Sequence, residues 1–374
     1  MLYTIPDYYH EFTCVAGKCE DTCCAGWQTV VDDASLENYK NETGTFAERL
    51  KESVNWEEGT FKQDKDRRCA FLNQSNLCDM YTALGEESLC RTCKLYPRHI
   101  EEFEDVREVT LSVSCPEVAR TLMNKKEPVH FLTYETDEEE DYEDFDPFLY
   151  SKLLDARDVM IEILQDREKK LNLRAALILA IARDLQECID EEDIFSMDDV
   201  FDYYQAEEGV REVKNALAEV DYYTYSRKMF QNQYQMEHLR ADWESYLQEA
   251  EKLLYRNVNE KIDKKQYVEI IQEVHAWMAK EMPEYEIQYE QLLVYFISTY
   301  FCGAVYDGEA FAKAQMAVVS TLLIHELLMA QWMKQEKVLD INDVIDTVYR
   351  YSRELEHSDS NLNLIQELLQ ESNE

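Results

Sequence analysis

Cysteine is the residue type in this chain whose number and spacing point most clearly to chemistry. Nine of the eleven cysteines lie within the first 115 residues: Cys14, Cys19, Cys23, Cys24, Cys69, Cys78, Cys90, Cys93 and Cys115. Thiolates are soft ligands and hardly any histidine lies near them, which favours zinc or iron–sulfur binding. Close pairs such as Cys90 and Cys93 suit one metal centre, because a short turn lets both sulfur atoms converge. We therefore expect a metal-binding module near the beginning of the chain.

The spacing leaves the kind of metal open. Zinc ribbons usually carry two CxxC pairs, and only one occurs here. The closely spaced cysteines typical of bacterial ferredoxins are also missing. An iron–sulfur centre, a zinc site and unligated thiols all stay compatible with the pattern. The side chains of adjacent residues diverge in regular backbone, so Cys23 and Cys24 are not expected to bind the same ion.

Two other pairs of residues have a spacing that could serve catalysis. His325 and Glu326 resemble the beginning of an HExxH zinc motif, but Met329 stands at the second ligand position. We therefore expect His325 to be a hydrogen-bonded core residue. Glu356 and His357 adjoin at a predicted helix end, where an acid–base role and an ordinary surface role both remain open. The absence of GxSxG, P-loop and G-x-G motifs argues against hydrolase and Rossmann-type nucleotide or methyl-donor sites.

The elements that must position these residues divide the chain into two predicted domains. Residues 1–132 are predicted to be a cysteine-rich, irregular module with one short strand at 109–113. A helix is expected to begin at Ser114-Cys115-Pro116-Glu117, with Ser114 as its cap, which would place Cys115 where the helix dipole favours a thiolate. Residues 133–147 are strongly acidic and read as an exposed linker, or as a docking site for a basic partner.

Residues 148–374 have helical periodicity almost throughout. The predicted helices are 148–169, 172–190, 208–220, 226–256, 264–281, 287–305, 311–336, 341–356 and 361–370. The helix at 311–336 is apolar on most faces and is expected to be the central buried helix. Cys188 and Cys302 lie singly in apolar helices as packing residues. The predicted fold class is mainly α, with a small cysteine-rich metal-binding N-terminal module packed on a larger all-helical domain.

Composition and charge limit the possible partners. The chain has 374 residues, 45% of them hydrophobic, with 8 Gly and 6 Pro, which excludes global disorder and favours long helices. A net charge of -40 repels phosphate backbones, so no nucleic-acid partner is expected. The first residues show no signal peptide, and the most apolar stretches are too short or too polar to span a bilayer. We expect a soluble, cytoplasmic protein without a membrane partner.

The cysteine segments and two helical segments together resemble the flagellin lysine-N-methylase family. The similar stretches are TCVAGKCEDTCCAGWQTVVDD (13–33), RCAFLNQSNLCDMYTALGEESLCRTCKLYPR (68–98), LSVSCPEVAR (111–120), YEQLLVYFISTYFCGAVYDG (289–308) and YSRELEHSDSNL (351–362). Part of the second stretch is also shared with the broader CxxCxxCC group of iron- or zinc-chelating proteins. The ordered set covers most of the chain and is far more specific than any one stretch.

The resemblance implies methyl transfer from S-adenosylmethionine to surface lysines of flagellin. It also implies an iron–sulfur cluster, of the 4Fe-4S kind, with zinc as the alternative. The cysteines that match the family's cluster positions are Cys19, Cys23, Cys69, Cys78, Cys90 and Cys93, with Cys14, Cys24 and Cys115 in reserve. Radical enzymes that use this donor carry CxxxCxxC, but Gly26 stands where the third cysteine belongs, so the spacing does not support a radical mechanism.

A polar methyl transfer requires a neutral lysine amine. Presenting one at pH 7 costs about 4–5 kcal/mol, because a free lysine has a pKa near ~10.4. A partly apolar pocket with a Tyr or Glu base would reduce this cost, and aromatic faces would favour a sulfonium donor. Tyr289, Tyr295, Tyr300 and Tyr306 lie near one another in sequence and could serve, or could only pack helices. The catalytic and donor-binding residues stay unassigned.

Two functions of other classes remain open beside the methyltransferase. One is a metal-chelating or electron-transfer module on a helical scaffold, without methyl transfer. The other is a zinc-stabilised interaction protein whose acidic surface binds a basic partner.

Overall fold

The protein is described by a computed structural model that covers residues 1–137, 145–255 and 264–371. Most of these residues are helical, as predicted, and the strands among them end at residue 135. The strands are β1 (Leu2–Pro6), β2 (Val54–Asn55), β3 (Thr60–Phe61), β4 (Arg98–Phe103), β5 (Val106–Leu111) and β6 (Phe131–Glu135). The first helices are α1 (Asp33–Asn41), α2 (Ala47–Ser53), α3 (Asp79–Leu84), α4 (Arg91–Leu95) and α5 (Pro116–Asn124). The later ones are α6 (Pro147–Gln165), α7 (Leu171–Asp190), α8 (Met197–Gln205), α9 (Glu207–Ala218), α10 (Tyr222–Asn232), α11 (Trp243–Tyr255), α12 (Lys264–Glu281), α13 (Tyr285–Tyr300), α14 (Ala304–Asp307), α15 (Ala310–Lys334), α16 (Ile341–Glu356) and α17 (Asp359–Gln370).

A four-stranded mixed sheet joins the two ends of the first 135 residues. Its order is β4-β5-β1-β6, with β1 parallel to β5 and antiparallel to β6. The prediction of one strand at 109–113 corresponds to β5, but the expectation of a single strand is wrong. β1 and β6 have only five residues each, and their partners are about a hundred residues away. Such short strands carry too few alternating positions for the pattern to identify them.

The buried side chains form two separate clusters. The smaller lies within residues 31–90 and contains Val31, Tyr39, Leu50, Val54, Phe61, Phe71, Met80 and Cys90. The larger extends from Phe103 on β4 and Leu111 on β5 through Val118 on α5 into the helices that follow, including Leu323 on α15. By packing, the sheet and α5 thus belong with the later helices. The domain division at 132 and 147 stays a prediction.

α15 is the central helix of the larger cluster, as the sequence predicts. It packs against α7, α11, α13, α16 and α17. It is the one helix in the described ranges that is long and apolar enough to cross a membrane, and most of its apolar stretch is buried inside the protein. Its apolar character is therefore explained by contacts with neighbouring helices. Cys302 is buried and Cys188 packs at the edge of the same cluster, so both are packing residues as expected.

Most predicted helices lie within a few residues of the observed ones, with two exceptions. The predicted helix 226–256 is wrong, because α10 and α11 are separated by an irregular segment. In that segment the backbone N–H groups of Leu239 and Arg240 donate to the Glu354 carboxylate, at 2.7 and 2.8 Å, instead of continuing a helix. α8 was not predicted. The acidic stretch 133–147 begins inside β6 and ends where α6 begins, and its residues 138–144 lie outside the described residues.

The beginning of α5 differs from the prediction in its cap. Pro116 is the first residue of the helix, as expected, but the N-cap is Cys115 and no side chain caps the helix. The Ser114 hydroxyl is bonded elsewhere, to groups of the cavity described below. Burial raises the pKa of Cys115 to about 11 and outweighs the backbone N–H groups of Val118 and Glu117. The expectation of a thiolate at this helix end is therefore wrong.

Candidate functional site

Residues 14–115, which contain the nine N-terminal cysteines, are called the cysteine-rich segment below. A cavity of about 250 Å³ lies between this segment and the end of α16. Trp27 and Tyr96 line it from the cysteine-rich side, while Glu356 and His357 line it from α16. Ser112, in the turn that follows β5, completes the contact between the two sides. Residues far apart in sequence therefore face one small volume, which is typical of a binding or catalytic site.

α16 holds its last residues in place through both of its ends. Asp340 caps the helix in a capping box. Its side chain accepts hydrogen bonds from the backbone N–H groups of Asn342 and Asp343, and the Asp343 side chain accepts one from the backbone N–H of Asp340. Near the other end, Arg353 is buried and donates to the Ser114 carbonyl at 2.9 Å. It also forms an ion pair of 2.8 Å with Asp21. These contacts fix the position of Glu356 and His357 against the cysteine-rich segment.

Glu356 is the acceptor of three hydroxyl groups. Its Oε2 atom accepts hydrogen bonds from Ser112 at 2.9 Å, Tyr295 at 2.6 Å and Tyr300 at 3.1 Å. Burial raises the pKa of Glu356, although the hydroxyl donors and the nearby His99 act in the opposite direction. A carboxylate with a raised pKa is a stronger base than an exposed one, and shifts of this kind are common at catalytic positions.

Two serines connect Glu356 to His357. Ser112 Oγ is 2.6 Å from Ser114 Oγ, and Ser114 Oγ is 2.9 Å from His357 Nε2. Because Ser112 donates its only hydroxyl proton to Glu356, the Ser114 hydroxyl must donate to Ser112. The Ser114 oxygen then accepts from His357 Nε2–H and from the Tyr96 hydroxyl at 3.2 Å. This ordering assigns the neutral His357 its proton on Nε2 and leaves Nδ1 as an acceptor.

His357 is neutral at physiological pH. Burial and the positive charge of Arg353 lower its pKa to about 3. A neutral imidazole does not repel a cation in the cavity, whereas a protonated one would. The charge that the α16 end presents to the cavity is therefore the negative charge of Glu356.

Aromatic rings cover the opposite side of His357. The Trp27 ring is 4.4 Å from the His357 ring between centroids, and the Tyr96 ring is 5.5 Å away in an edge-on orientation. The Trp27 indole N–H donates to the Cys23 carbonyl at 2.7 Å, which orients the ring. Aromatic faces beside a carboxylate are suited to binding a cation such as an ammonium or a sulfonium group.

His99 lies at the rim of this cavity. Burial lowers the pKa of His99, but the hydrogen bond of 2.6 Å to Glu101, together with the charges of Glu101, Glu356 and Asp359, places the pKa above its ordinary value. Its ring is 5.6 Å from that of Tyr300. The surroundings of the cavity thus raise the pKa of His99 and lower that of His357.

The nine N-terminal cysteines form two groups of neighbours, which Cys24 joins because it lies near both. Burial, followed by the thiols of Cys24, Cys78 and Cys90, raises the pKa of Cys69 to about 12. Cys93 and Cys90 interact directly, with the pKa of Cys93 raised and that of Cys90 lowered. This first group lies around the smaller hydrophobic cluster.

The second group lies closer to the cavity. Burial raises the pKa of Cys19 most, and the nearby Cys14 thiol raises it further. In the same way the Cys115 thiol acts on the pKa of Cys23, and the Cys19 thiol acts on that of Cys115. Cys23 and Cys24 also interact, and the pKa of Cys24 is lowered to about 7, first by the Cys23 thiol. The backbone here is a turn and not a regular strand or helix, so the divergence typical of regular backbone does not apply. That Cys23 and Cys24 do not bind the same ion stays a prediction.

These thiols do not form a preassembled metal site. Within the described ranges, no three His, Cys, Asp or Glu side chains converge in a geometry that could hold a metal ion. The thiols have the chemistry that an iron–sulfur or zinc centre requires, but their positions do not fit one centre. The assignment of individual cysteines as ligands stays a prediction, and no step proposed below passes through a metal cluster.

The four tyrosines that lie close together in the sequence form hydrogen bonds in different parts of the structure. Tyr295 and Tyr300 reach Glu356, whereas the Tyr289 hydroxyl is 2.8 Å from His325 Nδ1. Tyr306 is half exposed and donates to the Glu102 carbonyl. His325 is hydrogen-bonded within the helical core, as predicted. Sequence reasoning missed Trp27, Tyr96, Ser112 and Ser114, for which the only signal was that they lie within the family-like stretches.

Comparison with known proteins gives a family match over most of the helical part. Residues 157–374, more than half of the chain, match the family described as the FliB lysine N-methylase C-terminal domain. This range contains α16 with Glu356 and His357, and also Tyr295 and Tyr300 of α13. Four side chains of the cavity network thus lie inside the matched domain.

Two curated relatives show more limited similarity. The lysine-N-methylase of Salmonella typhimurium is 26% identical over 130 residues, which are 32% of this chain and 32% of that protein. The flagellar biosynthetic protein FliU of Salmonella muenchen is 28% identical over 130 residues, 32% of this chain and 76% of that protein. The chain thus matches about a third of the length of the curated lysine-N-methylase. No solved structure matches the chain.

Proposed function

Because the chain belongs to the FliB lysine N-methylase family, we propose that it is a protein-lysine N-methyltransferase whose active site is the cavity at Glu356. The observation that carries this proposal is the position of Glu356, a base with a raised pKa, beside aromatic rings and a neutral imidazole. An ammonium group would find a negative charge and aromatic faces in this cavity, and no protonated imidazole at His357. The volume of about 250 Å³ suits the end of a lysine side chain.

Glu356 acts as the base in the proposed reaction. The lysine ammonium gives one proton to the Glu356 carboxylate, which leaves a neutral amine with a free electron pair. When bound, S-adenosylmethionine supplies the methyl group as part of a sulfonium cation; the amine nitrogen forms a bond to this carbon as the sulfur–carbon bond breaks. Trp27 and Tyr96 are the side chains that would face these cations. The Ser112 and Ser114 hydroxyls orient Glu356 and His357, and burial together with the charge of Arg353 keeps His357 neutral.

Flagellin is the proposed protein substrate, and the cytoplasm the proposed location. Support comes from the name of the Salmonella muenchen relative, a flagellar biosynthetic protein, and from the five family-like stretches of the sequence. The net charge of -40 would speed encounter with a lysine-rich surface, and this effect should weaken as the salt concentration rises.

A metal centre on the N-terminal cysteines is a further part of the proposal. The thiol chemistry and the two groups of neighbouring cysteines support it, while the present side-chain positions do not assemble one centre. Cys93→Ser should lower the iron and acid-labile sulfide of anaerobically purified protein. Cys188→Ser, on α7 and far along the chain, is the matched control. Equal metal content in both variants would refute Cys93 as a ligand.

The decisive experiment for the function is the intact mass of flagellin after incubation with the protein and S-adenosylmethionine. We expect mass gains in whole methyl steps with the wild type. Glu356→Gln keeps the shape of the side chain and removes the base, and should lower the rate by about 10²–10⁴-fold. Glu367→Gln on α17 is the control, which should leave the rate unchanged.

The two negative results have different meanings. If the wild type, shown to carry its metal, adds no methyl group, the methyltransferase proposal fails and the electron-transfer or scaffold function gains support. If the wild type methylates flagellin and Glu356→Gln does so at the same rate, the reaction stands and the assignment of Glu356 as its base is wrong.

A further inference from the structure

A pair of histidines on two neighbouring helices lies outside the proposed active site. His275 is on α12 and His325 is on α15, and their Nε2 atoms are 3.1 Å apart. His275 is exposed and His325 is half-buried, so solvent reaches the pair. No role for these two residues follows from the cavity at Glu356 or from the cysteines.

From this geometry we infer that His275 and His325 form a binding site for a transition-metal ion such as Zn²⁺. Two imidazole nitrogens that bind one tetrahedral ion at roughly 2.0–2.1 Å are held about 3.3 Å apart. The observed separation of 3.1 Å is close to that value. An ion at this position would bind both Nε2 atoms and would complete its coordination with water.

A neighbouring side chain supports the same arrangement. The Tyr289 hydroxyl on α13 lies 2.8 Å from His325 Nδ1, the ring atom that a metal at Nε2 would leave free. Histidine ligands commonly use that second nitrogen to donate to an oxygen atom, which fixes their tautomer. Tyr289 is therefore placed as the outer hydrogen-bond partner of a metal-bound His325.

The charge around the pair also favours a cation. Glu286 on α13 lies near enough to His275 to interact with it electrostatically, and is a negative charge facing the site. The Tyr285 ring, 6.2 Å from His275, covers another side.

A metal at this site would join α12 to the central helix. Because the His pair spans α12 and α15, an ion would add a link between α12 and α15. The consequence is structural and does not depend on methyl transfer. The site and the proposed function can therefore fail independently.

Zinc binding by the full-length protein tests the inference. Equilibrium dialysis against Zn²⁺ should give one bound ion more for the wild type than for His275→Ala or His325→Ala. His238→Ala is the control and should bind the same number of zinc ions as the wild type. Any zinc held by thiols is common to all these proteins and cancels in the comparison.

Two further readouts separate a metal site from a simple hydrogen-bonded pair. Tyr289→Phe should lower the affinity of this site for zinc about 10–100-fold, because the loss of a ligand's outer hydrogen-bond partner lowers metal affinity by that amount in other sites. Zinc should slow amide hydrogen exchange of α12 in the wild type and not in His275→Ala, which folds normally because this side chain is exposed. Equal zinc binding by the wild type and both histidine variants would overturn the inference.

Discussion

At the scale of single residues, two glutamates are held by tyrosine hydroxyls in different surroundings. Glu356 lies at a cavity, whereas Glu326 on α15 is fully buried, with 1% of its surface exposed. Glu326 accepts hydrogen bonds from Tyr255 at 2.7 Å and from Tyr267. Burial raises the pKa of Glu326 to about 7 in spite of these donors. Folding therefore favours the protonated form of this residue.

Glu326 should make the stability of the protein depend on pH. A folded-state pKa above the ordinary value of 4.5 means that the contribution to stability is present below pH 4.5 and is lost as the pH rises through about 7. Relative to Glu326→Gln, the wild type should lose about 3 kcal/mol of unfolding free energy over this range. Urea unfolding of both proteins at several pH values measures the difference.

The exposed residue Glu162 on α6 provides the control for this measurement. Glu162→Gln should show a difference from the wild type that is small and the same at every pH. A difference between Glu326→Gln and the wild type that stays constant from pH 4.5 to 8 would contradict the assigned pKa shift.

Single-residue chemistry was only partly visible in the sequence. The pair Glu356–His357 was recognisable as acid beside imidazole, and His325 was correctly placed in the core. The hydrogen-bond partners of Glu356 could not be recognised from the sequence. Ser112 precedes Glu356 by 244 positions, and Tyr295 precedes Glu356 by 61 positions. Local spacing carries no information about contacts of this range.

At the scale of elements, α16 depends on its first turn. Asp340 and Asp343 satisfy one another's backbone N–H groups, and such a cap typically contributes about 1 kcal/mol. Asp340→Ala should lower the free energy of unfolding by that amount and shift the urea midpoint. Asp199→Ala, an exposed residue on α8, is the control and should shift it much less. A midpoint equal to that of the wild type would show that the cap adds nothing.

The positions of the helices were easier to predict from the sequence than the long-range contacts that the helices and strands make. Long helices with apolar faces, such as α7, α12, α15 and α16, were identified within a few residues, because helical periodicity is a local property. The break between α10 and α11 was missed, since it depends on the Glu354 carboxylate, about 115 residues further along the chain. The sheet was missed for the same reason.

At the scale of the whole molecule, buried ionic contacts join the cysteine-rich segment to the helices. Asp21 forms ion pairs with Arg240 and with Arg353, and Arg353 also donates to the Asp21 carbonyl at 2.6 Å. Arg353 is 4% exposed, and its charge is compensated by the Asp21 carboxylate and by the carbonyl groups of Asp21 and Ser114. Such a junction explains why the segment with its own small core is held against the end of α16.

Removing one member of this junction should be strongly destabilising. Arg353→Gln removes a buried guanidinium and leaves Arg240 as the remaining ionic partner of Asp21, and it should lower the free energy of unfolding by about 3 kcal/mol. Arg211→Gln is the matched control, because that arginine is exposed and its carboxylate partner Glu208 is 3.8 Å away. The control should change stability by less than about 1 kcal/mol. Equal effects in the two variants, measured by urea unfolding, would contradict the importance of the junction.

The proposed active site combines residues from near both ends of the sequence, and this has a consequence for protein synthesis. Trp27 is made well before Glu356 and His357, which follow it by more than 300 residues in the sequence. A nascent chain therefore cannot bind a lysine in this cavity, and a product that terminates before α16 lacks the base altogether. Activity would appear only after α16 has left the ribosome.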